Sequence, residues 1–359
     1  MGKYSSPPEM KLELYDTLKL EQFIRRREGE VRLGEKVQTI AWKNSEHWGQ
    51  TLREMPGAFV LLGLPEDVGV RANFGRGGAY SAWLPALTTL LNTQSNETLS
   101  GEELIVLGHL DFSPAMEEMK PLDLQMAGDL KRARELVAEM DRAVYPVMEA
   151  IFAAGKEAII IGGGHNNAYA NLKGLSMALA QKGQTEIGCI NCDAHSDLRP
   201  MEGRHSGNAF SYALHEGFLH RYAMVGLHEN YNAAGVMEKM ETDERLMAIW
   251  FEDIFIRENC TFREAVDRAL NFTAHLPLGI ELDLDCIQNI PSSAKTSSGI
   301  STVQARQFVH WVASSAEVKY LHLAEAAPVL SHIKTDLKTG KLIAYLISDY
   351  IKARNSRLK

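Results

Sequence analysis

Eight short, almost uninterrupted apolar runs recur along the chain, each separated from the next by a longer, more polar stretch. They are AFVLLGL (58–64), ELIVLG (103–108), EAIIIG (157–162), EIGCIN (186–191), RYAMVGL (221–227), RLMAIWF (245–251), LGIELDL (278–284) and KYLHLAE (319–325). A strand that is apolar along its length, not only at alternate positions, has to be covered on both faces. That is the condition of a parallel sheet between helical layers. The intervening stretches supply helices: SAWLPALTTLLN, DLKRARELVAEMDRAVYPVMEAIFAAG, TFREAVDRALNFTAH and a last one over 338–354. The pattern predicts an α/β fold: one three-layer, doubly wound domain over 56–359 with an eight-stranded, mostly parallel sheet. A (β/α)8 barrel has the same strand count and is the alternative. Residues 1–55 are polar and helix-leaning, without a clear strand. They are expected to form an N-terminal arm packed on the domain or on a neighbouring subunit.

Composition narrows the function classes. Of 359 residues, 45% are hydrophobic, enough for a sizeable core. A net charge of −8 gives no reason to expect nucleic acid or an anionic membrane as partner. The dense basic cluster Arg25, Arg26, Arg27 runs straight into EGE and reads as a solvated helix face. Residues 1–30 hold no apolar leader core, and no run approaches the roughly 18 apolar residues of a membrane helix. Cys189 and Cys192 form a CxxC inside a predicted strand, where residues three apart face opposite sides. With Cys260 and Cys286 they read as free thiols, and a cytoplasmic location is expected.

In an open parallel sheet, ligands bind outside the carboxyl ends of the strands. Four predicted strands deliver titratable side chains there. The run 157–162 is followed by GGHNN with His165, and 186–191 by CDAHSD with Asp193, His195 and Asp197. Strand 278–284 ends in DLD, with Asp283 and Asp285, and strand 319–325 ends in Glu325. On an extended segment Asp193, His195 and Asp197 share one face, as do Asp283 and Asp285. Four carboxylates in one small site repel strongly unless cations sit among them. Two divalent ions per subunit resolve that repulsion. Oxygen-rich ligation with two imidazoles and no thiolate suits Mn²⁺.

GGGH, DAHSD and DLD, in this order, resemble the three signature segments of the ureohydrolase (arginase and agmatinase) superfamily. The resemblance runs from about residue 60 to 350. GLPEDVGVRANFGRGGA (63–79) is similar to the family's first substrate-side loop, and EAAP (325–328) to its usual EVNP. The resemblance implies an arginase-like sheet and a dinuclear manganese site. One metal would be held by His165, Asp193, Asp197 and Asp283, the other by His195, Asp193, Asp283 and Asp285. Arginase-like and agmatinase-like members tend to carry a histidine in the run that matches HSGNAF. Here Phe210 takes that place, with His205 nearby as a loop residue or a substitute. GGGHN, DAHSDLR and SGNAF resemble the formimidoylglutamase branch most closely. Asn166, Asn208 and Ala209 depart from that branch's pattern.

The resemblance implies a hydrolase that cleaves a C–N bond of a linear amidine, N-formimidoyl-L-glutamate, to L-glutamate and formamide, in histidine degradation. A guanidine ureohydrolase releasing urea is the alternative. Glu325 would pair with the cationic nitrogens of the substrate, and Asp197 would carry a proton to the leaving amine. A dicarboxylate tail calls for donors, and Arg199, Arg204, Asn208, Arg71 and Arg76 are the candidates. The expected partners are a small-molecule substrate and further copies of the chain as a homo-oligomer, with neither nucleic acid nor membrane.

Overall fold

The computed structural model describes residues 9–331 and 337–358. One sheet contains β1 (Lys11–Leu14), β2 (Phe59–Gly63), β3 (Leu104–Asp111), β4 (Glu157–Ile161), β5 (Ile187–Cys192), β6 (Leu219–Leu227), β7 (Leu246–Trp250), β8 (Leu278–Asp283) and β9 (Val318–Ala324). Their order is β1-β3-β2-β4-β9-β8-β5-β6-β7. All neighbouring pairs are parallel except β1 with β3. The sheet is open, with β1 and β7 at its edges, so it is not a barrel. Each of the eight apolar runs forms one of the parallel strands.

The ninth strand corrects the reading of residues 1–55 as strand-free. KLEL at 11–14 pairs antiparallel along β3 and alternates exposed with half-buried residues. Four residues with charges on one face carry too weak a periodicity to stand out, yet they suit an edge, where charge discourages further strand pairing. Just beyond it, Tyr15 is buried against Trp83 and His109 of the same chain, its hydroxyl 3.3 Å from the Trp83 indole nitrogen.

Strand side chains alternate between two apolar layers. Phe59, Leu61, Ile159 and Ile161 face one side, against helices Trp83–Leu91, Phe262–Phe272, Thr302–Ser315 and Lys338–Leu358. Val60, Leu62, Ala158 and Ile160 face the other, against Ala127–Ala153 and Asn167–Ala180. Cys192 lies in the first layer and Cys189 in the second, so the CxxC cannot pair, and both are free thiols. Among the described residues no helix is long and apolar enough to cross a membrane.

The sheet order decides where chemistry can gather. β4, β9, β8 and β5 are consecutive neighbours at its centre, although they are scattered from residue 157 to 324. Their carboxyl ends open on the same side because the strands are parallel.

Candidate metal centre and substrate cleft

His165 is set by the turn that leaves β4. Gly162 and Gly163 take φ of +85° and +74°, conformations that favour glycine. A Cβ on Gly163 would stand 2.4 Å from the Asn167 amide nitrogen. Two carboxylates pin the turn from outside. Glu66, just after β2, accepts the Gly164 N–H at 2.8 Å and the Asn167 side-chain amide at 2.7 Å. Glu325, just after β9, accepts the His165 N–H at 2.7 Å. The buried imidazole is thereby presented with Nδ1 3.2 Å from Asp193 Oδ2, 2.9 Å from Asp197 Oδ2 and 3.2 Å from Asp283 Oδ2.

The acidic partners arrive by turns, not on extended faces as the alternation suggested. β5 ends at Cys192, and the loop then curls so that Asp193 Oδ1 accepts the His195 N–H at 2.8 Å. Asp197 has φ +50°, which bends the chain back and brings its carboxylate to His165. Asp283 closes β8 and accepts the Asp285 N–H at 2.7 Å, starting a tight turn over Leu284–Cys286. Asp285 returns to the same edge, where Ser293 Oγ (3.0 Å) and Ala294 N (3.1 Å) donate to it.

His165, Asp193, Asp197 and Asp283 bring four donor atoms within 4.8 Å of one another. His195 and Asp285 lie beside them in the same cleft. Burial, then the charges of Asp285 and Asp193, push Asp283 well above the usual carboxylate range. Burial and the charges of Asp283 and Asp285 do the same to Glu325. Burial opposes charge on His195, but Asp193 prevails and raises it to about 9. Such a set of buried acids is compatible with full ionisation only around added positive charge. Among the described residues, the two ring nitrogens of His165 and Glu325 Oε2 are buried without a hydrogen-bond partner. Oxygen donors with two imidazoles fit a hard or borderline divalent ion. Cys192 and Cys286, next in sequence to Asp193 and Asp285, turn instead into the core, 3.8 Å from each other. The residues therefore fit a metal centre.

A cleft of about 510 Å³ opens onto this group. Of the proposed tail-binding residues, Arg199 lines it, exposed beside His195 and Asp197. Arg204 does not line it. Its guanidinium is buried, paired with Asp141 at 2.8 Å, bonded to Asn208 Oδ1 and the Asn166 carbonyl, and flanked by the rings of Tyr169 and Tyr212. Asn208 is likewise committed, donating to the Pro200 and Gly203 carbonyls. Arg71 reaches toward the Met119 carbonyl on another surface, and Arg76 is exposed outside the cleft. A larger cleft of about 770 Å³ beside Arg25, Arg26 and Arg27 holds none of the candidate site residues.

His205 is fully buried, and its Nδ1 accepts the Gly207 N–H at 3.2 Å. It holds the loop and does not face the cleft. Phe210 is fully buried too, edge-on to His165 at 5.3 Å and stacked on Tyr222 at 4.1 Å. Asn166 is buried and donates to Glu66 at 3.2 Å. Two residues near the centre escaped the sequence reading. Glu66 was findable by the strand-end rule, since it follows the run 58–64. Glu281 stands inside the run 278–284, where a charge is out of place.

Comparison with known proteins agrees with this geometry. The Arginase family profile matches residues 93–351. The formimidoylglutamase of Chromobacterium violaceum is 26% identical over 329 residues, covering 88% of this chain and 97% of that protein. That of Aeromonas hydrophila is 27% identical over 323 residues, covering 87% and 92%. Among solved structures, Trypanosoma cruzi formiminoglutamase with Mn²⁺ superposes with a TM-score of 0.68 at 19% identity, over 91% of this chain and 99% of that one. Bacillus subtilis formimidoylglutamase also gives 0.68, at 17% identity, over 95% and 99%. With the sheet order, the strand-end donors and a profile match over most of its length, the chain belongs to the arginase family.

Proposed function

We propose that the protein hydrolyses a C–N bond of a linear amidine, N-formimidoyl-L-glutamate, with two Mn²⁺ ions per subunit. Water is consumed, and formamide and L-glutamate are released. The observation that carries this reading is the pairing, in one cleft, of the His165–Asp193–Asp197–Asp283 group with Arg199. Donors for cations line the cleft, and so does a guanidinium suited to a carboxylate tail. Glu202, which also lines the cleft, is paired with Arg134 at 2.8 Å. The names of the Chromobacterium and Aeromonas relatives support the same substrate.

His165, Asp193, Asp197 and Asp283 would hold one ion; His195, Asp193, Asp283 and Asp285 the other. Bound there, the ions supply Lewis acidity and make water a competent nucleophile at neutral pH. Glu325 holds the amidinium: Oε1 is anchored on the His165 N–H, which leaves the unpartnered Oε2 for the cationic nitrogens. Asp197 carries the proton from water to the departing amine. Phe210 offers no proton, so the reaction does not pass through a histidine at that position. We place the enzyme in the cytoplasm, where its four free thiols stay reduced, and expect a homo-oligomer.

Mn²⁺-loaded protein offered N-formimidoyl-L-glutamate, agmatine and arginine at equal concentration tests the reading. Formamide release from the first should far exceed urea release from the others. Urea from a guanidine, without formamide, overturns it in favour of a guanidine ureohydrolase.

A further inference from the structure

Beneath the donor group lies a fully buried carboxylate that no step above uses. Glu281 sits on β8 two residues before Asp283, on the same face of the strand and one pleat deeper. An apolar side chain would be expected in a central parallel strand, because an isolated buried carboxylate costs several kcal/mol. The surroundings are arranged to keep it. Tyr320 donates its hydroxyl to Oε1 at 2.7 Å, and His322, the cross-strand neighbour on β9, approaches Oε2 with Nδ1 at 2.6 Å. Gly279 makes the tyrosine possible: a Cβ there would lie 2.4 Å from the Tyr320 ring. The other nitrogen of His322 faces the Gly162 carbonyl at 3.2 Å, at the base of the turn that carries His165. Glu281 is thus fixed from two sides.

Its second approach on Oε2 points at His165. Nε2 of that ring stands 3.4 Å away, a few tenths of an ångström beyond a full hydrogen bond, and has no other partner among the described residues. A carboxylate oxygen can take two donors, so His322 does not exclude His165.

We propose that Glu281 is the positioning residue of His165. It accepts the Nε2–H, which fixes the tautomer and turns the Nδ1 lone pair toward Asp193, Asp197 and Asp283. A carboxylate behind a ligating imidazole makes it a better donor and holds its plane. Gly279, Tyr320 and His322 serve that placement. The inference rests on the metal-centre reading given above.

Mn²⁺ binding to the folded protein, by equilibrium dialysis with elemental analysis, tests it. Glu281→Gln should weaken one of the two ions about 10–100-fold, leave the ion held through His195 at its original affinity, and keep the native circular dichroism. Tyr320→Phe, which leaves Glu281 charged but less constrained, should weaken the same ion by a smaller factor. It decides the matter if the glutamine variant does not fold. Original affinity for both ions in a folded Glu281→Gln variant, or in Tyr320→Phe where the glutamine variant does not fold, overturns the proposal. So does equal weakening of both ions, which would mean general loosening. A third ion per chain that disappears in Glu281→Gln overturns it too, by making Glu281 and His322 ligands. Unaltered binding in these variants while Asp193→Ala loses metal would refute the role of Glu281 alone. A wild-type protein that binds no divalent ion would sink the metal-centre reading and this inference with it.

Discussion

Glu325 Oε1 accepts the His165 N–H at 2.7 Å, so the end of β9 is tied to the turn after β4 by a bond spanning 160 residues of sequence. Glu325 itself holds φ +64°, a conformation uncommon for a side chain of its kind. Strain of this sort persists where the surroundings over-determine it, as in a binding site. On the proposed reading, one residue thereby steadies a proposed ligand with one oxygen and would offer the other to the substrate.

That division predicts the effect of Glu325→Gln. Glutamine keeps an acceptor for the His165 N–H, so both ions should stay. A charge-assisted pairing with the amidinium becomes a neutral one, and kcat/KM should fall by about one to two orders of magnitude. Loss of metal by elemental analysis would make Glu325 a ligand.

Asp193 belongs to the donor group, 3.2 Å from His165 Nδ1 and bonded to the His195 backbone. Asp193→Ala should retain at most one ion per chain and lose hydrolysis. In the wild type, chelation should abolish hydrolysis and Mn²⁺ should restore it. Two ions per chain in the variant would end the assignment of Asp193 as a ligand to both.

Arg199 and Arg204 lie five residues apart and should answer differently. Arg199→Gln should raise KM for the dicarboxylate at least tenfold, with little change in kcat or thermal stability. Arg204→Gln strands the buried Asp141 carboxylate and should destabilise the fold by about 3–5 kcal/mol in urea unfolding. A folded, stable Arg204→Gln with raised KM would move the tail contact to Arg204.

His205 gives a pH signature. Burial and the charges of Arg134, Arg204 and Arg199 lower it to about 3 from 6.5. A depressed histidine favours the fold in its neutral form. Its contribution is complete above about pH 6.5 and is lost as pH falls toward 3, because the unfolded chain takes up the proton first. Between pH 6.5 and 5 the wild type should lose about 1.5 kcal/mol more unfolding free energy than His205→Gln. Parallel urea-denaturation curves for the two proteins would show that His205 is not held neutral.

Much of this was written in local sequence. Continuous apolar runs of six or seven residues identified eight parallel strands, because a strand covered on both faces has no polar side to display. The titratable residues just past four of them lie together at one edge of the folded sheet, the candidate site. β1 was not legible, since four alternating residues become a strand only when β3 offers its free edge. The curled loop at Asp193–Asp197 was not legible either, because its positive φ answers to His165, which another strand supplies.

The arginines show most plainly what tertiary structure alone decides. Arg199 and Arg204 are equivalent as sequence: both follow the DAHSD segment, and both carry a guanidinium. Folding places Asp141, from the helix Ala127–Ala153, against Arg204, and leaves Arg199 in the cleft. Glu281 tells the same story, a charge in a hydrophobic run until Tyr320, His322 and His165 close around it. The sequence determines which chemical groups the strand ends carry, because that follows from periodicity along one chain. Which group meets which partner depends on contacts between distant segments, and those exist only once the sheet is assembled.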